Sequence, residues 1–400
     1  MFTHTFVQNP IVEQLWTMRT EVTSTTPDPS NPYYLHSTPR PPSFSSTSIT
    51  YPFSTSPFLS ETYKSPWGSM RIGSVLEDLD ALAGNIAFKH CVSAGSWEKP
   101  LIVTAGVDRI QVKDTPSVVD GDQTLSGSIS WVGKSSMEIT MHVTSPLATS
   151  PWLEARFTFV ARCRETGRAT DIVPLAPETA HQQTLFERGR EAAEQKKALR
   201  VQGRDVSSEY NIKVHNLAED LLSAGKIVKN FPSLCSGDSM LMYKTGLDNA
   251  LVAQPQQRNT ANSIFGGFLM RRAFELAFAN AYKFGGAKPK FIEVDDISFL
   301  NPVEVGELLL FHSRILYTLP DGGQMKLDGD NPLVMVEVEA RVTCPEKVSS
   351  KISNKFNFTF SLPTLSTVKK VVPGDDEEAV AMSKRIIADI QQVEEDKRSK

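Results

Sequence analysis

One unit of sequence occurs twice in this chain of 400 residues, and no other feature restricts the fold as much. Setting Gly73 on Gly267, 194 positions on, places Val75 on Leu269, Leu76 on Met270, Leu82 on Leu276, Ala83 on Ala277 and Phe88-Lys89 on Tyr282-Lys283. Further along, Val107-Asp108-Arg109-Ile110 falls on Val294-Asp295-Asp296-Ile297, and "VVDGDQTL" (118–125) resembles "VEVGELLL" (303–310). The offset drifts by several residues, as loops of unequal length between matching elements require. A repeat of this kind predicts two copies of one supersecondary unit sharing a continuous core.

Each copy reads as a helix followed by strands. In the first, Val75, Leu76, Leu79, Leu82, Ala83, Ile86 and Ala87 recur at helical spacing. "LIVTAGVDRIQV", "SGSISWVGKSSMEITMHV" and "ARFTFVARC" follow, with Met137, Ile139, Met141 and Val143 alternating as in a half-buried strand. In the second, "IFGGFLMRRAFELAFANAYKFGG" precedes "KFIEVDDISF", "ELLLFHSRILYT", "PLVMVEVEARVT" and "FNFTFSL". That order, given twice, predicts an α+β fold. The flanks differ in composition: residues 1–66 hold 10 of the 25 prolines with long Ser/Thr stretches and read as an arm without a packed core, apart from a short helix at "NPIVEQLWTMR". The expected division is therefore an arm (1–66), a first unit (67–180), a solvated helical linker (181–235), a second unit (236–366) and a charged helical tail (367–400).

The copies diverge where chemistry would sit. Asn259, Asn262, Gly266 and Gly267 lead into the second helix, whereas the first has a single glycine, Gly73, and no asparagine before it. Conversely, Asp80 lies within the first helix where the second has Phe274. Helices side by side would build one composite site from the glycine-rich start of one and the acid of the other, leaving the opposite site incomplete. A helix start exposes unpaired N–H groups and the positive end of its dipole, and glycine removes the Cβ that would hold a carbonyl away from them. Such donors can stabilise a tetrahedral oxyanion while Asp80 takes a proton from water or attacks directly; Glu275 is a secondary candidate. Taken singly, each residue has a plainer reading: Gly266-Gly267 as a close approach, Asn262 as an N-cap, Asp80 in "LEDLDAL" as a solvated acid. Asp80 nevertheless shares a stripe with Leu76 and Ala83, whereas Asp78 does not, which turns Asp80 inward.

Composition narrows the function classes. A net charge of −4 supplies no global basic field for nucleic acid, and no apolar run approaches a bilayer-spanning length. The four cysteines lie far apart and the seven histidines have no ligand spacing, so no metal and no disulfide framework is expected.

The stretches "VLEDLDALAGNIAFKHC", "VTAGVDRI", "LSGSISWVGKSSMEI" and, above all, "QRNTANSIFGGFLMRRAFELAFANAYKFGGAKPKFIEVDDISFLNPVEVGELL" resemble the mitochondrial branch of the tandem hot-dog acyl-CoA thioesterases over residues 67–365. The resemblance implies a double hot-dog fold, each long helix wrapped by an antiparallel sheet, and hydrolysis of fatty acyl-CoA to free acid and CoA without metal or organic cofactor. In related enzymes an Asn before the Gly-Gly works with an acid in the other repeat's helix. Those roles fall on Asp80 and on Asn262, Ser263 or Asn259, because many relatives place the Asn at the position of Ser263. The family also implies a homo-oligomer, a dimer or trimer of double hot-dog chains, and a mitochondrial address. The first 22 residues carry one arginine and two glutamates, unlike a transit peptide, so a cytoplasmic location is the alternative. Two other readings stand beside hydrolysis: a non-catalytic acyl-CoA-binding or scaffolding protein, and a hot-dog hydratase or dehydratase. The last would use an acid–histidine pair, and His90 lies at the far end of its helix. Acyl-chain length and nucleotide regulation are not legible.

Overall fold

A computed structural model describes residues 11–15, 17–18, 38–91, 100–113, 121–146, 148–163, 165–202, 208–235, 237–259, 263–323 and 325–398. Ten strands form one antiparallel sheet: β1 (Thr47–Tyr51), β2 (Leu101–Val112), β3 (Gln123–Val132), β4 (Ser136–Thr144), β5 (Leu153–Arg162), β6 (Leu247–Val252), β7 (Lys290–Phe299), β8 (Leu308–Leu319), β9 (Leu333–Cys344) and β10 (Ser349–Ser361). Their spatial order is β1-β3-β4-β5-β2-β7-β10-β9-β8-β6. Exchanging each strand for its repeat partner reverses that order onto itself, so the sheet has the internal two-fold relation that the sequence repeat requires. At its centre β2 runs antiparallel to β7, with Val107 opposite Ile297 and Ile110 opposite Val294. The repeat equates Val107 with Val294 and Ile110 with Ile297, so the two-fold interchanges these pairs.

The described residues also form five long helices: α1 (Ile72–Cys91), α2 (Ala180–Gln202), α3 (Glu209–Asn230), α4 (Gly266–Gly285) and α5 (Asp376–Arg398). α1 packs on β1–β5, α4 packs on β6 and β8–β10, and the two helices pack against each other. α1 and α4 are thus each wrapped by the strands of their own repeat, the double hot-dog arrangement. The stripe expected for α1 is what seals it: Val75, Leu76, Leu79, Leu82, Ala83 and Ile86 are all at 0% exposure. Burying each of the larger side chains stabilises the fold by roughly 1.5–3 kcal/mol.

Three segments differ from the sequence reading. Residues 38–66 are not an unstructured arm: β1 pairs with β3, and Tyr51 and Tyr63 are fully buried. Both tyrosines donate to Asp78 Oδ2, at 2.9 and 2.6 Å, so Asp78 is buried although it lies off the apolar stripe. A few aromatics, Tyr51, Phe53 and Tyr63 in mutual contact, supply the apolar surface that a count of Pro, Ser and Thr conceals. Ahead of them, Ile11, Val12 and Leu15 of the helical residues 11–15 also enter the core. The linker, read as solvated, and the charged helical tail both place helices against the sheet. α2 lies so close on β3 that a Cβ at Gly189 would stand 2.5 Å from Trp131 Cβ. α5 meets charge with charge: Arg385 pairs with Asp295 at 2.5 Å, and Arg109 bridges Glu293 and Asp396 at 2.7 and 2.8 Å. Sequence charge looked like solvent exposure because its partners are distant in the chain. Among the described residues no helix is long and apolar enough to cross a membrane.

Candidate active site

The start of α4 carries no side-chain cap of its own: Phe265 occupies the N-cap position. The cap comes from the other repeat. Asp80, 2% exposed on α1, accepts the Gly267 N–H at 2.6 Å through Oδ2 and the Thr104 hydroxyl of β2 at 2.9 Å through Oδ1. Placing an anion at a helix N-terminus favours it, but burial acts more strongly in the opposite direction. Desolvation pushes the Asp80 carboxyl up to about 6; the bonds from Thr104 and Gly267 restrain the rise and the charge of Glu77 adds to it.

The paired glycines follow from this geometry. A Cβ on Gly267 would lie 2.9 Å from Glu77 O and 3.0 Å from Glu77 Cα, so α1 and α4 could not approach as they do. A Cβ on Gly266 would stand 3.0 Å from Asp80 Oδ2 and 3.0 Å from the Phe299 ring. Gly267 therefore serves helix contact, and its N–H is bonded to Asp80. Gly266 keeps the carboxylate accessible.

A cavity of about 530 Å³ opens beside this pair. One wall comes from α1, β2 and β5: Asp80, Ala81, Gly84, Asn85, Leu101 to Ala105, Phe159 and Arg162, with Leu15 from the N-terminal helix. The facing wall comes from the segment before α4 and the ends of β7 and β10: Asn259, Ser263 to Gly266, Phe299 to Val303, and Asn354. Asn259 and Ser263 are brought to the cavity and to each other: Asn259 donates its N–H to Ser263 O at 2.7 Å, and its Oδ1 accepts the Ser263 N–H at 3.2 Å. Asn262 lies outside the described residues.

Glu275 does not line the cavity. It lies on the opposite side of the helix pair, bound to Arg71 at 2.8 Å, Arg272 at 3.0 Å and Arg271 at 3.2 Å, and Arg271 continues to Glu77 at 3.0 Å. Burial alone would raise its carboxyl; Arg271 and Arg71 outweigh burial and hold it below the usual range. His90 is equally remote: it is fully buried, its Nε2 is 2.9 Å from Val173 O, and burial pushes its pKa down to about 4. Among the described residues no histidine lines the cavity beside Asp80, so none of them supplies the acid–histidine pair of the hydratase reading.

Thr104 was missed in the sequence because one threonine in "LIVTAGV" reads as strand. The repeat held the signal. The alignment that equates Asp80 with Phe274 and Val107 with Val294 also equates Thr104 with Phe291, and these two phenylalanines meet edge to face at 5.1 Å. Phe278, Phe358 and Phe360 close around them. A bonded Asp–Thr pair in one half-site is thus a Phe–Phe contact in the other, and only the first can handle a proton.

No protein-family model matches the chain. Among curated proteins it is 40% identical over 397 residues to acyl-coenzyme A thioesterase 4, mitochondrial, of Humulus lupulus, covering 95% of this chain and 73% of that one. It is likewise 40% identical to acyl-coenzyme A thioesterase 2, chloroplastic, of Humulus lupulus, covering 95% and 89%. It is 33% identical to human acyl-coenzyme A thioesterase 9, mitochondrial, covering 78% and 70%. Of solved structures, an acyl-CoA hydrolase from Staphylococcus aureus with butyryl coenzyme A superposes with a TM-score of 0.35 at 20% identity, over 40% of this chain and 93% of that one.

Proposed function

The chain belongs to the acyl-CoA thioesterases, and from that premise we propose that it hydrolyses fatty acyl-CoA in the cavity between the two repeats, with Asp80 as general base. The supporting observation is the buried Asp80 carboxylate, bonded to Gly267 N–H and the Thr104 hydroxyl in the cavity it lines together with Gly266. With a pKa of about 6, the carboxylate is mostly ionised at neutral pH yet basic enough to accept a proton from water. The acyl carbonyl rests against the Gly266 N–H at the positive end of α4. Water adds to the carbonyl carbon as Asp80 takes its proton, and the helix start stabilises the oxyanion by roughly 3–4 kcal/mol per well-placed donor. Collapse breaks the C–S bond, and the CoA thiolate leaves and is protonated from Asp80. Both oxygens of Asp80 already accept hydrogen bonds, which favours proton transfer over direct attack by the carboxylate. Asn259 orients the carbonyl or the water; Asn262 and Ser263 occupy the same stretch and share that assignment until each is varied. These steps draw on water and side chains alone, so we assign no metal or organic cofactor.

The mitochondrial and chloroplastic relatives support an organellar address, and among organelles we favour the mitochondrion. We also read the chain as a homo-oligomer, since its sheet ends in the edge strands β1 and β6; light scattering on the purified protein tests this. The decisive experiment measures CoA release from short, medium and long acyl-CoAs by a thiol reagent, for wild type, Asp80→Ala and Asn259→Ala. Wild type is expected to turn over at least one chain length, with Asp80→Ala on the order of 100-fold slower or worse, as loss of a general base implies. An Asp80→Ala variant with wild-type kcat would rule out the assigned base.

A further inference from the structure

Among the described residues lining the cavity, two have a buried polar side-chain atom without a hydrogen-bond partner: Asn85 Oδ1 and Asn354 Nδ2. Buried polar groups are ordinarily satisfied, because leaving one unpaired forfeits its bond to water for nothing in return. Asn85 spends its Nδ2 on Leu15 O at 2.8 Å, which ties the N-terminal helix to α1 on the mostly apolar wall. Asn354 has no such structural errand. It is fully buried on β10, across the strand pair from Phe299, whose ring bounds the space at Gly266.

Its surroundings show what it lacks. Asn354 Oδ1 lies 2.7 Å from Ser353 Oγ, which is also 2.7 Å from Asn301 O. A hydroxyl has one proton for those two acceptors. Whichever it serves, the Asn354 amide retains at least one polar atom not committed to the protein. Its neighbours on this wall are already engaged: Asn301 Nδ2 donates to Ile352 O at 2.7 Å, and Asn259 Oδ1 accepts from Ser263 N–H.

We propose that Asn354 is a substrate-binding residue that holds a secondary amide of the pantetheine arm of acyl-CoA; this rests on the thioesterase reading of the same cavity. The acyl chain offers a side-chain amide nothing to bond. The phosphates of CoA call for cations, and the described part of this wall contributes none to the cavity: its polar members are Asn259, Ser263, Asn301 and Asn354. The pantetheine arm carries two neutral amides, each with a carbonyl and an N–H, and a neutral buried amide is their complement. Asn354 therefore helps the enzyme distinguish a CoA thioester from a plain alkyl thioester.

The test compares one acyl group carried on CoA, on N-acetylcysteamine (one amide) and on mercaptoethanol (no amide), with wild type, Asn354→Leu and Asn354→Ser. The preference for CoA over mercaptoethanol, as a ratio of kcat/KM, is expected to fall about tenfold in both variants, with the loss carried by KM, as for an interaction made equally in ground and transition states. Whether N-acetylcysteamine behaves like CoA or like mercaptoethanol tells which amide is held. An equal loss on all three carriers would assign Asn354 a merely structural role, and an unchanged ratio would mean that water satisfies it; either overturns the proposal. Asn354→Ser keeps a small polar group and covers failure of the leucine variant to fold. Affinity for a non-hydrolysable thioether analogue of acyl-CoA reads the same contact without turnover and is expected to weaken about tenfold. If wild type binds that analogue but releases no CoA, the hydrolysis reading fails while the Asn354 contact is still decided.

Discussion

Asp80→Asn should make the protein more stable at neutral pH while abolishing turnover. Desolvation raises the Asp80 carboxyl from 3.8 to about 6, a shift worth about 3 kcal/mol at roughly 1.4 kcal/mol per unit. The sign follows from proton binding. Between pH 4 and pH 6 the folded state holds a proton that the unfolded state has lost, so stability declines as pH rises through this window and stays reduced above it. A neutral amide avoids that cost. It also keeps both bonds, because its oxygen can accept the Gly267 N–H while its nitrogen donates to the Thr104 hydroxyl, which can accept as well as donate. Urea unfolding of wild type and variant at pH 4.5, 6 and 7.5 should therefore show a gain for the variant of about 1 kcal/mol at the lowest pH, rising to about 3 kcal/mol at the highest. Other titrating groups, including Glu293, are common to both proteins and cancel in the difference. A variant less stable than wild type at pH 7.5, or a difference independent of pH, would refute the claim that a destabilised carboxylate is held at this site.

Two further outcomes follow from the same geometry. Thr104→Val removes a bond that lowers the Asp80 pKa, so the acid limb of the kcat profile, centred near pH 6 in wild type, should move to higher pH; an unmoved limb would mean that Thr104 does not act through Asp80. Gly267→Ala and Gly266→Ala should separate stability from chemistry: the first drives a methyl into Glu77 O and should cost about 1–3 kcal/mol in unfolding experiments, as over-packing does, whereas the second crowds Asp80 Oδ2 and the flexible Phe299 ring and should lose kcat far more than stability.

The repeat carried most of the fold. Periodicity located α1 and α4, "LIVTAGVDRIQV" and "KFIEVDDISF" are β2 and β7 from end to end, and aligning the copies implied a sheet with a two-fold relation. The contact across the repeats was legible for the same reason, because Asp80 and the second glycine, Gly266, have no like counterparts in the opposite copy. What could not be read were contacts made by single polar atoms across long separations. Thr104 reads as any strand threonine until its partner is known, and Asn354 as any strand asparagine. Glu275 stood close to the glycines in sequence, yet it lies more than two turns further along α4, where Arg71 and Arg271 hold it. Composition misled at the flanks, where the aromatic contacts of Tyr51 and Tyr63 and the paired charges of α5 depend on residues far along the chain.

One fold thus runs two half-sites in opposite directions, and the closed one bears on the open one. The aromatic cluster around Phe274 and Phe291 buries large apolar surfaces where the other half keeps a cavity and the Asp80 carboxyl. Edge-to-face contacts of this kind contribute about 0.5–1.5 kcal/mol each beyond the area they bury. A few of them are of the same size as the roughly 3 kcal/mol that burying the Asp80 charge costs. The Glu77–Arg271 pair, whose members the repeat equates with each other, lies between the two half-sites and ties the helices at the point where their backbones come closest. Keeping Asp80 against Gly267 requires that this helix contact not open, and the aromatic contacts of Phe274 are among those that pack α4 on its sheet. On the proposed mechanism, equivalent positions of one fold thus supply a proton acceptor in one repeat and aromatic packing in the other.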